Sequence, residues 1–196
     1  ENKQHRIAVE TRELYAPLAH RLGMNNIKTQ FEDLTFQVLD KKNYKDIRKK
    51  VKESYKQRDK HIRKFCRNIK SEFKNYKIEA EVFGRAKHYY SIYKKMIKKT
   101  KLFSELYDIL AVRIIVDKTE ECYSVLGIVH QQYTPIQNRF KDYIAIPKSN
   151  GYQSIHTTVF TENGEQLEIQ IRTKQMDELA EIGVAAHWKY KGDKIS

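Results

Sequence analysis

A chain of 196 residues that is 40% hydrophobic is long enough for one good core with a helical appendage. Charged residues make up 32% and the formal net charge is +13, which points to a polyanionic partner or substrate: nucleotides, RNA or an acidic membrane surface. No apolar run approaches the ~20 residues of a membrane span, the opening ENKQHRIAVETREL has no signal-peptide apolar region, and Cys66 and Cys122 suggest neither zinc site nor disulfide framework, so a reducing cytoplasm is expected.

Residues 4–22 read as a helix with Ile7, Leu14, Leu18 and Leu22 near one face, and Pro17 is expected to kink or break it. The abrupt start inside a helical pattern suggests a piece of something longer. A second helix is predicted over 28–40, carrying Phe31, Leu34, Phe36, Val38 and Leu39. Tyr44, Ile47, Val51, Tyr55, Ile62, Phe65, Ile69, Phe73 and Tyr76 then recur at mostly helical spacings, with lysines and arginines on the other faces. Such a surface suits RNA, or is simply solvated.

From Lys77 the period changes. Ile78, Ala80 and Val82 alternate with charged residues up to Gly84, which reads as a strand ending in a sharp turn. A short helix follows over 88–99, a buried β-branched strand over 111–117, and a helix over 122–132. Strands are expected to run into and out of a turn at Pro147–Gly151, with Phe140, Tyr143 and Ile144 before it and Ile155, Thr157 and Val159 after. A hairpin turns at Asn163-Gly164 into a strand over 166–172, and Thr173 caps a last helix through His187. Partial alternation of strands and helices predicts a mixed sheet flanked by helices, in the α+β or α/β class.

The stretch 139–158, RFKDYIAIPKSNGYQSIHTT, gathers Arg139, Lys141, Lys148, Tyr152 and His156 around one turn. Cations, an aromatic and an imidazole there suit a phosphorylated ligand carrying a base; a basic surface hairpin fits these residues equally. GxxxxGK[ST], GxGxxG and HExxH are all missing, which argues against P-loop, Rossmann and zincin chemistry. In 166–172, Leu167, Ile169 and Ile171 face one side and Glu168, Gln170 and Arg172 the other. Asp108 precedes the strand that carries Arg113. Two carboxylates among many cations fit Mg²⁺-assisted transfer of a phosphorylated group, and an ordinary salt bridge on a half-exposed sheet is the plain alternative for Glu168. Lys87, Ser91 and Lys95, four apart, offer ammonium, hydroxyl and ammonium along one helical face or its approach.

Together, GRAKHYYSIYKKM (84–96), YDILAVRIIVD (107–117), RFKDYIAIPKSNGYQSIHTTV (139–159) and LEIQIRTKQMDELAEIGVAAHWKY (167–190) closely resemble the RelA/SpoT family, specifically the synthetase part of a long, bifunctional Rel-type (p)ppGpp synthetase. The N-terminal ETRELYAPLAHRLGMNNIKTQFEDLTF is similar to the helices joining that family's hydrolase and synthetase parts. The resemblance implies a nucleotidyltransferase-like α+β fold with a mixed sheet of about five strands, with residues 1–75 as an N-terminal helical segment and 76–192 as the catalytic domain. It implies transfer of pyrophosphate from ATP to the 3′-hydroxyl of GTP or GDP, with Mg²⁺, making the stringent-response alarmone and AMP. Arg85 and Arg113 match the arginines that sandwich adenine, and Lys87, Ser91 and Lys95 the donor phosphate cradle. Asp108 matches the metal ligand, Glu168 the carboxylate serving metal, acceptor hydroxyl or both, and Tyr152 the tyrosine stacked on guanine. Lys148, Asn150, His156 and Gln170 match acceptor-side contacts. Arg139 and Lys141 belong to an RxKD sequence that, in this family, suggests a parent with a working hydrolase; as cations on one strand face they are expected to favour the more charged acceptor. Ribosome or tRNA contact is expected through C-terminal regions absent from this sequence, and no membrane partner is expected. A basic RNA- or ribosome-binding module and a nucleotidyltransferase of another type are the rival readings.

Overall fold

The computed structural model describes residues 2–99, 103 and 110–183. Its first helices, α1 (Asn2–Glu10) and α2 (Ala16–Arg21), are joined by a π-helical turn over Thr11–Tyr15. Proline in a helix loses one amide bond and crowds the preceding turn. Here the wider turn absorbs that cost: the Ala16 amide bonds back to the Thr11 carbonyl, and Glu10 and Ala16 both keep helical dihedrals. The chain therefore stays helical past Pro17, with a π-turn ahead of it in place of a break. The expected apolar face is also turned outward. Ile7, Leu14, Leu18 and Leu22 are exposed, while Ala8, Ala16 and Ala19 are buried.

The next helix, α3 (Asn25–Leu39), begins three residues ahead of its predicted start, and α4 (Lys41–Asn75) runs on from Asp40, whose carboxylate accepts the Asn43 amide. Along α4 the helical period sends two sets of apolar side chains into two cores. Ile47 and Val51 join Phe36 and Ile92, ringed by Tyr44, Tyr89, Tyr90 and Tyr93. Phe65, Ile69 and Phe73 enter the core under the sheet. Packing thus crosses residue 75, where the sequence pattern changes.

The sheet has five strands in the order β1-β2-β5-β4-β3: β1 (Glu81–Ala86), β2 (Leu110–Val116), β3 (Lys141–Asp142), β4 (Ile155–Phe160) and β5 (Gln166–Thr173). Among the described strands only β2 and β5 pair parallel, so the sheet is mixed, as the alternation predicts. Helix α5 (Tyr89–Lys99) follows β1, α6 (Thr119–Gln132) follows β2, and α7 (Lys174–Ile182) follows β5, capped by the Thr173 hydroxyl, which accepts the Met176 amide. No helix among the described residues is long and apolar enough to cross a membrane.

Strand period two sorts the side chains. Val112, Ile114, Val116, Ile155, Val159, Leu167, Ile169 and Ile171 face α4 and α6 and are almost wholly buried. Burying such a side chain contributes roughly 1.5–3 kcal/mol, so this face decides the register. The opposite face is left with Arg113, His156, Glu168, Gln170 and Arg172.

Three expectations shift. Gly84 lies within β1 rather than at a turn; a Cβ there would meet the Ile62 methyl of α4 at 2.9 Å, so the close approach of α4 requires glycine. The strand entering the turn at Pro147–Gly151 is only two residues long, because the Asp142 carboxylate accepts the amides of Ile144 and Ala145, each at 2.9 Å, and bends the chain away. Helix α6 begins at Thr119, not 122, since Glu121 accepts the amides of Asp117 and Lys118 and fixes an earlier start.

Candidate active site

Register gathers the polar face into rows. Phe83, Arg113, Gln170, His156 and Lys141 stand side by side across β1, β2, β5, β4 and β3, and Glu168 stands one row away, opposite Ala111 and Thr158. At the centre, Lys87 Nζ donates to Glu168 Oε2 at 2.9 Å and Gln170 Nε2 donates to Glu168 Oε1 at 3.1 Å. Burial alone would raise the Glu168 pKa. The Lys87 charge and hydrogen bond, the Gln170 amide and His156 outweigh it, so the carboxyl titrates below its ordinary value and is ionised at neutral pH.

Lys87 stands in the loop ahead of α5, and Ser91 and Lys95 follow one and two turns on. Both line a cavity of about 220 Å³ between α3 and α5, with Lys28, Glu32, Lys94 and Lys98. The start of α5 is anchored from α3, where Asp33 accepts the Tyr90 amide at 2.8 Å and the Tyr89 amide at 3.4 Å. That contact sets the direction in which Ser91 and Lys95 project.

On the other side the turn at 148–151 closes through the Gly151 amide to the Lys148 carbonyl at 2.9 Å, with Gly151 at φ 75°, a left-handed conformation that glycine adopts freely. The turn stacks cations on aromatics. Lys148 Nζ lies 4.5 Å from the Tyr143 ring centroid and 4.9 Å from that of Tyr152. The Tyr152 hydroxyl lies 2.8 Å from His156 Nε2. Burial pushes the His156 imidazole down to about 4; Glu168 opposes this and Lys148, Arg172 and Lys87 reinforce it, so the ring is neutral at neutral pH. Asn150 Oδ1 accepts the Tyr152 amide at 3.3 Å, while Asn150 Nδ2 donates to the His20 carbonyl at 3.4 Å, tying the turn to α2.

The structure therefore brings together Lys87, Glu168, Gln170, His156, Tyr152, Lys148 and Asn150, with Ser91 and Lys95 in the adjoining cavity. Lys141 is exposed beside His156 at the sheet edge. Arg139 sits in the turn before β3, so strand alternation does not place it on Lys141's face. Arg113 is on the site's face but is held by α7: its Nη1 lies 3.0 Å from both Asp177 Oδ1 and Glu181 Oε1, and its guanidinium 5.8 Å from the Phe83 ring centroid. Asp108 and the Arg85 side chain lie outside the described residues. Sequence reasoning gave no role to Tyr143, Asp177 or Glu181, and left Arg172 merely a member of the face. Arg172 is buried, ion-paired with Asp177 and Glu181, and 5.9 Å behind the Tyr152 ring centroid. The i, i+4 acids of α7, directly after a strand ending in arginine, were the available signal.

Residues 84–195 match the pattern described as a region found in RelA / SpoT proteins. The chain is 48% identical over 194 residues to a GTP pyrophosphokinase of Streptomyces antibioticus, covering 99% of this chain and 23% of that protein. It is 50% identical over 184 residues to the GTP pyrophosphokinase of Escherichia coli (strain K12), covering 94% and 25%. It is also 49% identical over 195 residues to a guanosine-3′,5′-bis(diphosphate) 3′-pyrophosphohydrolase of Aquifex aeolicus, covering 99% and 28%. The chain thus spans about a quarter of these relatives. Among solved structures it superposes on small alarmone synthetase 1 of Bacillus subtilis bound to its product pppGpp, with TM-score 0.54, 25% identity, and coverage of 74% of this chain and 83% of that one.

Proposed function

The chain belongs to the RelA/SpoT family, and from that premise we propose that it transfers the β,γ-diphosphate of ATP to the 3′-hydroxyl of GTP or GDP, forming (p)ppGpp and AMP. The observation that carries this is the ionised Glu168 held between Lys87, which leads to the Ser91 and Lys95 cavity, and Gln170, which adjoins His156 and Tyr152. The curated relatives carry names for both synthesis and hydrolysis, and the chain spans only a quarter of each. Overlap with most of the length of a small alarmone synthetase supports synthesis as the reaction of this part.

Each residue has a physical task in that reaction. A flat phenol face such as that of Tyr152 stacks on guanine, and the ammonium of Lys148, now lying over that ring, is then free to meet phosphate. Lys87, Ser91 and Lys95 take the donor's phosphates. Lys87 holds down the Glu168 pKa, so its transfer to a phosphate oxygen makes the carboxylate more basic. Glu168 accepts the proton of the 3′-hydroxyl while that oxygen bonds to the β-phosphorus; the bond from the β-phosphorus to its bridging oxygen breaks, and AMP leaves with the electron pair. Neutral His156 and Gln170 orient the acceptor without adding charge.

Mg²⁺ fits this donor set. It takes one or two carboxylates plus phosphate oxygens and waters, and Glu168 is one ionised carboxylate in a site where no group of three acidic, histidine or cysteine side chains gathers among the described residues. Glu168, with Asp108, would hold it, and it would supply charge neutralisation for the phosphates. Two free thiols, Cys66 and Cys122, and nucleoside triphosphate substrates support a cytoplasmic setting.

The test is incubation of the purified chain with ATP, GDP or GTP, and Mg²⁺, with chromatography of the products. A more highly phosphorylated guanine nucleotide and equimolar AMP are expected. Pyrophosphate release would point to nucleotidyl transfer, and no turnover with retained RNA binding would point to a binding module.

A further inference from the structure

We propose that Lys28, positioned by the Glu32 carboxylate on α3, is a ligand of the donor's triphosphate, so that the N-terminal helical segment supplies part of the nucleotide site; this rests on the ATP reading above. The cavity between α3 and α5 is walled by four lysines (Lys28, Lys94, Lys95 and Lys98), one hydroxyl from Ser91 and one carboxylate from Glu32. Four ammonium groups against one carboxylate leave a net charge of +3 around about 220 Å³. Like charges gathered at one cavity repel, and an anion is what relieves them. Pockets that take whole ligands run to roughly 300–1,000 Å³. This smaller cationic one suits a phosphate arm rather than a base.

Its position identifies which arm. Lys87, Ser91 and Lys95 recur every four residues, and the first of them touches Glu168 at 2.9 Å. The row leads from the reacting carboxylate into the cavity, and Lys28 forms the facing wall.

Glu32 sets a carboxylate beside the phosphate subsite, and that carboxylate is already paired. Oε2 lies 3.1 Å from Lys28 Nζ and Oε1 lies 4.0 Å from Lys94 Nζ, with the Glu32 side chain only 10% exposed. It therefore holds Lys28 directly and faces Lys94 of α5 across the cavity. The Lys50–Asp46 pair has the same i, i+4 relation on α4, with side chains 41% and 50% exposed. The buried geometry of Glu32 is what that ordinary pair lacks.

A triphosphate also belongs to the GTP acceptor, so binding must be read for each nucleotide separately. The rim makes this necessary. Asn150 Nδ2 donates to the His20 carbonyl at 3.4 Å, so the acceptor-side turn is tied to α2, the helix just before α3.

Isothermal titration with ATP, AMP, GTP and inorganic tripolyphosphate, on the wild type, Lys28→Met and Lys50→Met, tests the assignment. Lys28→Met should weaken ATP and tripolyphosphate about tenfold, as expected for one charge-assisted contact, and AMP and GTP by no more than about twofold. Lys50→Met should match the wild type. Lys28→Arg should restore most of the ATP affinity, and if Lys28→Met fails to fold, Lys94→Met probes the same cavity from α5 with the same expectation. Unchanged ATP and tripolyphosphate binding, or a loss confined to GTP, overturns the proposal while leaving the synthetase reading intact. A wild type that binds GTP but not ATP removes the donor reading itself, and this inference with it.

Discussion

On the acceptor side of the proposed site, Tyr143, Lys148, Tyr152 and His156 come from one stretch of chain and touch one another, ring on ring and ammonium on ring. On the donor side, Lys28, Lys87, Ser91 and Arg113 come from α3, a loop, α5 and β2, and carboxylates from other places fix them: Glu32 pairs with Lys28, Glu168 with Lys87, Asp177 and Glu181 with Arg113, and Asp33 holds the first amides of α5. An aromatic cage built locally keeps its shape through its own contacts. A row of cations drawn from distant elements cannot, since its members repel, and it depends on counter-charges placed by the tertiary fold. Damage to the acceptor side should therefore stay local, whereas damage to the donor side should spread into stability.

Glu168 stands between the two, and its replacement should have the largest effect on turnover. Glu168→Gln keeps shape and its contact with Gln170 but removes the charge that pairs with Lys87, and with it any basicity toward the 3′-hydroxyl. A loss of about 100-fold or more in kcat is expected, with both nucleotides still bound by titration; a variant with half the wild-type kcat would remove Glu168 from the mechanism.

Arg113→Ala probes the donor side's dependence on counter-charge. It leaves Asp177 and Glu181 with Arg172 as their described partner. Stability should fall by about 2 kcal/mol, less than the ~3–5 for breaking a fully buried pair, because the acids are partly exposed. ATP affinity should fall with it while GTP affinity holds. Calorimetry showing no change in melting temperature would separate Arg113 from the α7 network.

Tyr152→Ala should be confined to the acceptor side, raising KM for GTP or GDP about tenfold, as expected for losing one base–aromatic stack. Tyr152→Phe should be mild, since the ring face is kept and only the contact with His156 is lost. A severe Phe variant would move the emphasis to the hydroxyl.

The pH dependence of stability isolates the cage differently. His156 in the folded chain titrates at about 4 instead of 6.5, so between those values the unfolded chain binds the proton and the folded one does not. Stability should rise with pH across that window, by about 3 kcal/mol, and flatten above it. Below about pH 4.5, Glu168, whose folded pKa is lowered, adds a further loss as it protonates. His156→Gln should remove most of the slope near pH 5–6 in urea titrations, with the rest left to His20 and His130, both also pushed down.

The smallest effect is expected at the sheet edge. Arg139→Glu with Lys141→Asp should shift the acceptor preference from GTP toward GDP by only a few-fold, because exposed charges are screened within ~8–10 Å. An unchanged ratio across Mg²⁺ concentrations would make these cations ordinary surface charges.

The same contrast governs what could be read from residues alone. The mixed sheet, the buried face of β5 and the position of Glu168 follow from residue alternation, and Lys148, Tyr152 and His156 of the cage stand out because they lie close in sequence, while Tyr143 reads only as a strand residue. Lys28 and Glu32 appeared only as the start of a helix, since their meaning depends on α5 crossing α3. Ile7, Leu14, Leu18 and Leu22 were misplaced because spacing identifies a stripe without saying which side packs; the small alanines pack instead. Gly84 looked like a turn, and only the path of α4 shows why a side chain is not tolerated there.

That path has a mechanical consequence. At ~1.5 Å per residue, the 35 residues of α4 form a rod about 50 Å long. One end is embedded beside Ile92 of α5 and the other beneath β2, β4 and β5. A rod clamped at both ends behaves as a lever: a tilt of ~5° at one clamp displaces the other by about 4 Å on this length. Neither clamp can loosen without dragging the other, so the tyrosine-ringed core and the sheet core should melt in one cooperative step. Anything that pushes on the tyrosine-ringed end is felt, through a single helix, under the strand that carries Glu168.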